Sequence, residues 1–318
     1  MTDMNMPEPA PATARVAILI CTFRGGPYLR RQLETIVEQT HTDWFICASD
    51  DGSDDETLAI LQEFRERLGD ARLRIFDGPR RGFAANFMSL IARPDIDADF
   101  HAFTDQDDEW DPCKLERAVA ALAGFASGTP ALYGSRSELI DDVGRHLGFS
   151  QVFSKPPGFS NALVQNMVSG NTMVLNRAAM VLMRRADTRV PVSAHDWWAY
   201  LLVTGSGGTM VYDPYPTIRY RQHGKNVYGE NVSWAARWSR VTRLFKGDFS
   251  AWNELNVTAL RHCAGMLTPQ SLQRLELFAR ARRASPIERL FYVLRSGVYR
   301  QTWSGQLALF IAALTKRI

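Results

Sequence analysis

The sequence predicts an α/β protein with a mostly parallel central sheet and a C-terminal helical extension, on three observations. Short β-branched apolar runs alternate with helical periodicity from residue 15 to about 230, the pattern of strand and covering helix. Two of the runs end in acids, Asp50-Asp51 and Asp105-Gln106-Asp107-Asp108. Beyond residue 230 the strand signals stop and Arg- and Trp-rich helical segments follow. The chain therefore divides into a disordered lead-in (1–14), an α/β domain (15–230) and a basic helical region (231–318).

Taken in order, Val16 to Cys21 reads as a strand buried on both faces. Gly25-Gly26-Pro27 turns the chain, Pro27 suits a first helical turn, and Leu29, Leu33, Ile36 and Val37 recur at helical spacing. A second strand, Trp44 to Ser49, runs into Asp50-Asp51-Gly52-Ser53-Asp54-Asp55. There Ser53 and Glu56 have the spacing of a capping box for a helix reaching about Leu68. A third strand near Leu73 to Phe76, a helix after Gly82 and a fourth strand near Phe100 to Phe103 repeat the pattern. A helix with Leu115, Val119 and Leu122 follows Pro112, a strand begins at Ala131 to Tyr133, the stretch around Lys155-Pro156-Pro157-Gly158 is irregular, and Thr172 to Leu175 reads as a further strand. His195-Asp196-Trp197-Trp198 opens an apolar helix through Val203. Met210 to Tyr212 and Thr217 to Tyr220 read as short strands before Arg221-Gln222-His223-Gly224.

Composition narrows the class. With 318 residues, 46% hydrophobic and 22% charged, and a mean hydropathy of -0.20, the chain describes a globular protein, not a polytopic membrane protein. Its longest apolar run, Leu307 to Leu314, is too short to span a bilayer. Cys21, Cys47, Cys113 and Cys263 have neither disulfide-framework nor zinc spacing, and the first fourteen residues lack a secretory pattern, so a cytoplasmic setting is expected. Residues 226–318 hold 14 Lys+Arg against 5 Asp+Glu, while residues 1–225 hold 23 against 29. An acidic first part argues against nucleic acid as a partner, and a basic tail suits an anionic surface.

In a parallel sheet, ligands bind where strands end and helices begin, so both acidic clusters should converge at one edge. No Walker loop or GxGxxG is present to cradle phosphate. Asp105-Gln106-Asp107-Asp108 offers hard oxygen ligands for a divalent ion, and serves equally well as a helix cap. Asp51 exceeds what turn chemistry needs, whereas Ser53 reads as a cap. Asp196 satisfies either a helix N-terminus or the role of general base; Trp197 and Trp198 read first as core, although adjacent residues cannot both point inward on one helix face, so one of them could face a sugar. His223 is an ordinary loop residue unless a metal lies nearby.

The order of these motifs, from Cys21-Thr22-Phe23-Arg24 through Asp50-Asp51-Gly52-Ser53, Asp105-Gln106-Asp107-Asp108-Glu109-Trp110 and His195-Asp196-Trp197-Trp198 to Tyr220-Arg221-Gln222-His223-Gly224, resembles the family 2 glycosyltransferases of GT-A fold, in particular the rhamnosyltransferase-like branch. The resemblance covers residues 15 to 228 and implies a Rossmann-like nucleotide-diphospho-sugar transferase. It would act with inversion on a nucleoside diphosphate sugar (dTDP- or UDP-linked) and a glycan or lipid-linked glycan acceptor in bacterial surface polysaccharide assembly. It implies that Thr22, Phe23, Arg24 and Asp51 border the base, that Asp105 faces the ribose beside Gln106, and that Gly82 and Asn86 lie near the donor. It further implies that Asp107 and His223 hold Mn2+ or Mg2+, and that Asp196 is the catalytic base. Ser169-Gly170-Asn171 is placed near the sugar or acceptor, or is a structural turn.

The Gln-x-x-Arg-Trp motif of processive synthases is absent at Arg237-Trp238, where Trp234 replaces the Gln, so a single transfer is expected. Between Pro286 and Arg300, Leu290, Phe291, Leu294 and Val298 with Arg289, Arg295 and Arg300 have the composition of a helix lying on an anionic membrane, with core packing as the equal alternative; the resemblance favours the membrane and implies the cytoplasmic face of the inner membrane. The competing classes are a metal-dependent nucleotidyltransferase or phosphohydrolase and a non-catalytic sugar-nucleotide-binding subunit. Acceptor-dependent release of nucleoside diphosphate separates them from a transferase.

Overall fold

A computed structural model describes residues 14–186, 190–223 and 248–318. Residues 1–13 of the expected lead-in, the expected boundary near residue 230, Gly224 and the Trp234 to Trp238 segment lie outside the described residues.

The site is positioned by four parallel strands, β1 (Val16–Thr22), β2 (Trp44–Asp50), β3 (Leu73–Asp77) and β4 (Phe100–Thr104), in the order β3-β2-β1-β4. Every residue of β1 and β2 is buried, as a strand covered on both faces requires. Alternation sorts the two faces: Val16, Ile18 and Ile20 meet α1 (Gly26–Val37) and α2 (Thr57–Leu68), while Ala17, Leu19 and Cys21 join the cluster containing Phe87 and Leu90 of α3 (Phe83–Ile91). Register pairs Thr22 with Asp50, Asp50 with Asp77 and Ile20 with Thr104, so β1, β2 and β3 end level, β4 stops two residues short, and their loops leave from one edge.

Beyond β4 the sheet continues as β8 (Val174–Asn176), β6 (Ala131–Ile140), β9 (Thr209–Arg221) and β5 (Glu109–Trp110), with β7 (His146–Phe149) on β6. β8 runs antiparallel to β4 and β6, and β5 antiparallel to β9. The helices here are α4 (Lys114–Ala123), α5 (Phe159–Ala162), α6 (Arg177–Arg185) and α7 (His195–Gly205). The C-terminal part comprises α8 (Asp248–His262), α9 (Pro269–Arg283), α10 (Pro286–Ser296) and α11 (Trp303–Leu314). Leu260, Phe278, Val293, Leu309 and Ile318 of this part share one apolar cluster with α3 and α7.

Five local expectations are corrected. Ser53 does not cap α2: its hydroxyl donates to Asp50 (2.6 Å) and accepts the N–H of Arg24 (2.8 Å), while Asp55 takes the Thr57 N–H. The two short strands at 210–212 and 217–220 are one strand, β9, which carries Pro214 and Pro216 where the pairing with Ser135, Arg136 and Ser137 shifts register. The strand expected from Thr172 begins at Val174, because Gly170–Thr172 forms a 3-10 turn. Trp197 and Trp198 are both buried, so neither is a sugar platform; α7 lies inside the core and is covered on several sides. In the tail, Arg289 is buried and donates to the Arg282 and Ala284 carbonyls, Val298 is buried, and Arg300 is half-buried against Phe249; only Arg295 of the three expected basic positions is exposed.

Candidate active site

The first side of the site grows from β1 and β2. Asp50 is buried and spends both oxygens on its own turn, accepting from Thr22 Oγ1 (2.8 Å), Ser53 Oγ (2.6 Å) and the N–H groups of Gly52 and Ser53. Thr22 is thereby buried, whereas Phe23 is half exposed. Gln106 straps Phe23 in place: its Oε1 accepts the Phe23 N–H (2.8 Å) and its Nε2 donates to the Phe23 carbonyl (2.9 Å). Arg24 follows with a left-handed φ of 51°, held by a two-bond pair with Asp54.

Asp51 reaches the next loop. Its oxygens accept the N–H of Arg80 (2.6 Å) and of Gly82 (2.8 Å), which fixes the entry to α3. Gly82 has a φ of 87°, a conformation glycine adopts without strain. Asn86 is buried one turn on and exchanges both amide atoms with Ser49, so it supports this side of the site from behind.

The second acidic loop leaves β4 at the same edge. Burial, reinforced by the charges of Asp107 and Asp196, pushes the half-buried Asp105 carboxyl up to about 8. Asp107 Oδ2 stands 2.8 Å from His223 Nε2, although β9 delivers His223 from the far side of the sheet. The β5–β9 pairing of Glu109 with Arg219 brings these chain ends together. Tyr28 stacks on the His223 ring at 5.2 Å between centroids, with the Arg221 guanidinium on Tyr28. Among the described residues no three His, Cys, Asp or Glu side chains form a closed metal cage. The pair still fits a hard divalent ion, because adjacent ligands about 2.1 Å from an octahedral centre stand about 3 Å apart.

Asp196 lies in the first turn of α7. Its Oδ1 accepts the Trp197 N–H (2.7 Å), and its Oδ2 accepts Asn166 Nδ2 (2.9 Å) and the Gly170 N–H (3.0 Å). It therefore serves its helix only in part; two of these donors come from the loop at 166–170. Gly170 makes that approach possible, since a Cβ there would stand 2.7 Å from His195 Nε2 and 3.2 Å from Asp196 Cβ. His195 itself is buried and stacked on Phe87 at 3.8 Å, and burial pulls its imidazole down to about 4.

Sequence reasoning passed over Tyr28, Asn166 and Lys114, and it named Asn171 and Arg221 without joining them to Asp108. Tyr28 had a signal, its place beside Gly25-Gly26-Pro27 at a helix start. The others had none, because their partners come from remote segments. Lys114 is wholly buried, donates to the Thr172 carbonyl (3.2 Å) and rests on the Trp110 ring; burial pulls its ammonium down to about 7 against the charge of Asp108.

A family model described as Glycosyl transferase family 2 matches residues 17–185. A dTDP-rhamnosyl transferase, RfbG, of Shigella flexneri is 28% identical over 233 residues, covering 70% of this chain and 78% of that protein. Among solved structures, the mannosyltransferase PcManGT from Pyrobaculum calidifontis in complex with GDP-Man and Mn2+ has a TM-score of 0.52 at 18% identity, covering 98% of this chain and 88% of its own. S. aureus TarS 1-349 in complex with UDP-GlcNAc has a TM-score of 0.53 at 13% identity, covering 95% of this chain and 90% of its own. The structural likenesses show a shared GT-A-type fold.

Proposed function

The chain belongs to glycosyl transferase family 2 and is a glycosyltransferase, and on that premise we propose that it moves a sugar, rhamnose first among the candidates, from a dTDP- or UDP-linked donor to a glycan or lipid-linked glycan hydroxyl with inversion, in bacterial surface polysaccharide assembly. The name of the Shigella relative, a dTDP-rhamnosyl transferase, supports the donor. The observation that carries the reading is that the Asp107–His223 pair and Asp196 are held by touching loops: Asn171 bonds Asp108, beside Asp107, and its neighbour Gly170 bonds Asp196. A proposed ion-binding pair and a base candidate thus belong to loops joined at the strand edge.

In this reading Phe23, Arg24 and Asp51 with Gly82 border the base, and Asp105 faces the ribose. Thr22, Gln106 and Asn86 shape that side through Asp50, Phe23 and Ser49. Asp107 and His223 would hold Mn2+ or Mg2+; PcManGT, solved with Mn2+, supports this. The ion, when bound, supplies Lewis-acid neutralisation of the departing diphosphate. Asp196, held by three N–H donors, presents its remaining lone pairs to the acceptor hydroxyl and takes its proton as the oxygen attacks. Asn166 and Gly170 fix the direction of that lone pair.

We place the protein in the cytoplasm, attached peripherally to the membrane. No helix among the described residues is long and apolar enough to cross a membrane. Ile287, Phe291 and Leu294 of α10 and Trp303, Leu307, Ile311 and Leu314 of α11 are exposed, which supports lipid contact.

Thermal stabilisation by a panel of sugar nucleotides with Mn2+, followed by assay of nucleoside diphosphate release, tests the function. A donor at 100 times its Kd should add about 2.7 kcal/mol, and release should require an acceptor. Stabilisation by none of the panel, or release of pyrophosphate, would refute it.

A further inference from the structure

We propose that Asp108 is a positioning residue that fixes the ion pair and the base relative to each other. The proposal rests on the roles given above to Asp107, His223 and Asp196.

Asp108 is 1% exposed and lies too deep to touch a donor. Each of its oxygens is taken by an element that carries another part of the site. Oδ1 accepts the N–H of Arg221 (3.1 Å), two residues before His223, and Arg221 Nε donates back to the Asp107 carbonyl (3.0 Å). Oδ2 accepts Nδ2 of the buried Asn171, whose neighbour Gly170 donates its N–H to Asp196. Lys114 closes the far side through the Thr172 carbonyl.

Three segments that are remote in sequence are therefore joined at one carboxyl: the acidic loop, the end of β9 and the 169–172 loop. A buried polar group is costly unless fully partnered, and an apolar side chain would fill this place without that cost. Packing alone does not call for an acid here, whereas directed bonds to two loops do. Neutral or opposed groups at either end would let the loops drift, and displacement of supporting partners around ion ligands typically costs 10- to 100-fold in affinity.

Asp108→Asn, Asn171→Asp and the double swap, which restores a donor opposite an acceptor, provide the test. Titration calorimetry of dTDP and of UDP, each with and without Mn2+, is read beside single-turnover transfer. Asn171→Asp should weaken Mn2+-dependent nucleotide binding about tenfold or more and lower the single-turnover rate, with Mn2+-free binding unchanged; Asp108→Asn should do so less, because the Asn171 amide can turn its oxygen, which has no partner among the described residues, toward the new donor, and the swap should recover most of both. Asn171→Ala, which deletes the bond without opposing two like groups, gives the same reading if a single variant fails to fold. Loss of thermal midpoint alone, or a swap no better than the worse single variant, would overturn the proposal. Asp107→Asn in the same titration separates the two claims: if it keeps Mn2+-dependent binding, the ion assignment fails and the proposal falls with it. If it loses that binding while the Asp108 and Asn171 variants keep it, only the positioning role falls.

Discussion

Asp107 and His223 lie 116 positions apart in the chain, yet Oδ2 of one is 2.8 Å from Nε2 of the other. That spacing is set by the backbone, through β5 against β9, and not by either side chain alone. Chelation with EDTA should therefore abolish transfer, and added Mn2+ should restore it in the wild type. His223→Gln should need more Mn2+ for half-restoration, by about tenfold, since an imidazole ligand is lost. An unchanged Mn2+ requirement in that variant would take His223 out of the ion site.

Asp196→Asn tests the base. Both oxygens of Asp196 accept N–H groups, so an amide nitrogen in either orientation faces a donor and should cost about 1–3 kcal/mol of stability. Single-turnover transfer should fall by roughly 10²- to 10⁴-fold where the variant remains folded. Loss of stability with less than tenfold loss of transfer would leave Asp196 as a helix-terminal acid only.

The buried His195 gives a pH dependence. Its folded value near 4 lies below the ordinary 6.5, so between those values the unfolded chain holds a proton that the folded chain refuses. Stability from this group is full above pH 6.5 and is lost as the pH falls toward 4. His101, also pulled down to about 4 by burial, adds in the same direction. Urea midpoints of the wild type should drop across this window, and His195→Leu should show a shallower drop, by about one proton. Parallel slopes would mean that His195 is charged inside the fold.

For the tail, deletion of residues 286–318 is a poor test, because Val293, Leu309, Ala313 and Ile318 are buried in the core. Trp303→Ser with Leu307→Ser alters only exposed positions, 87% and 52% accessible. The double variant should keep the wild-type thermal midpoint and lose at least tenfold in sedimentation with phosphatidylglycerol-containing vesicles. Equal sedimentation would end the membrane reading.

The strands of the parallel half were legible because burial on both faces leaves an unmistakable apolar run, as in Val16 to Cys21. Ser53 misled because its cap spacing competes with Asp50, three residues back, which holds its hydroxyl. Pro214 and Pro216 hid the continuity of β9, which tolerates them only where its register shifts. Trp197 and Trp198 both pack inward because α7 is enclosed and has no single buried face. Within the site, the acids announced themselves by type and position at strand ends. The bonds that orient them did not: Asp108 meets Asn171 and Arg221 across 63 and 113 positions, distances at which no local pattern survives.

The loops after β1, β2 and β3 form the side at Phe23, Asp51 and Gly82, while the ion pair belongs to the β4–β5 turn and the end of β9. On the proposed roles, nucleotide preference and ion chemistry would be separately heritable traits of the sheet edge. Grafting residues 22–26, 50–57 and 78–83 from a relative with another donor should transplant base selection, with Gln106 carried across as well because its amide stitches Phe23 to the acidic loop.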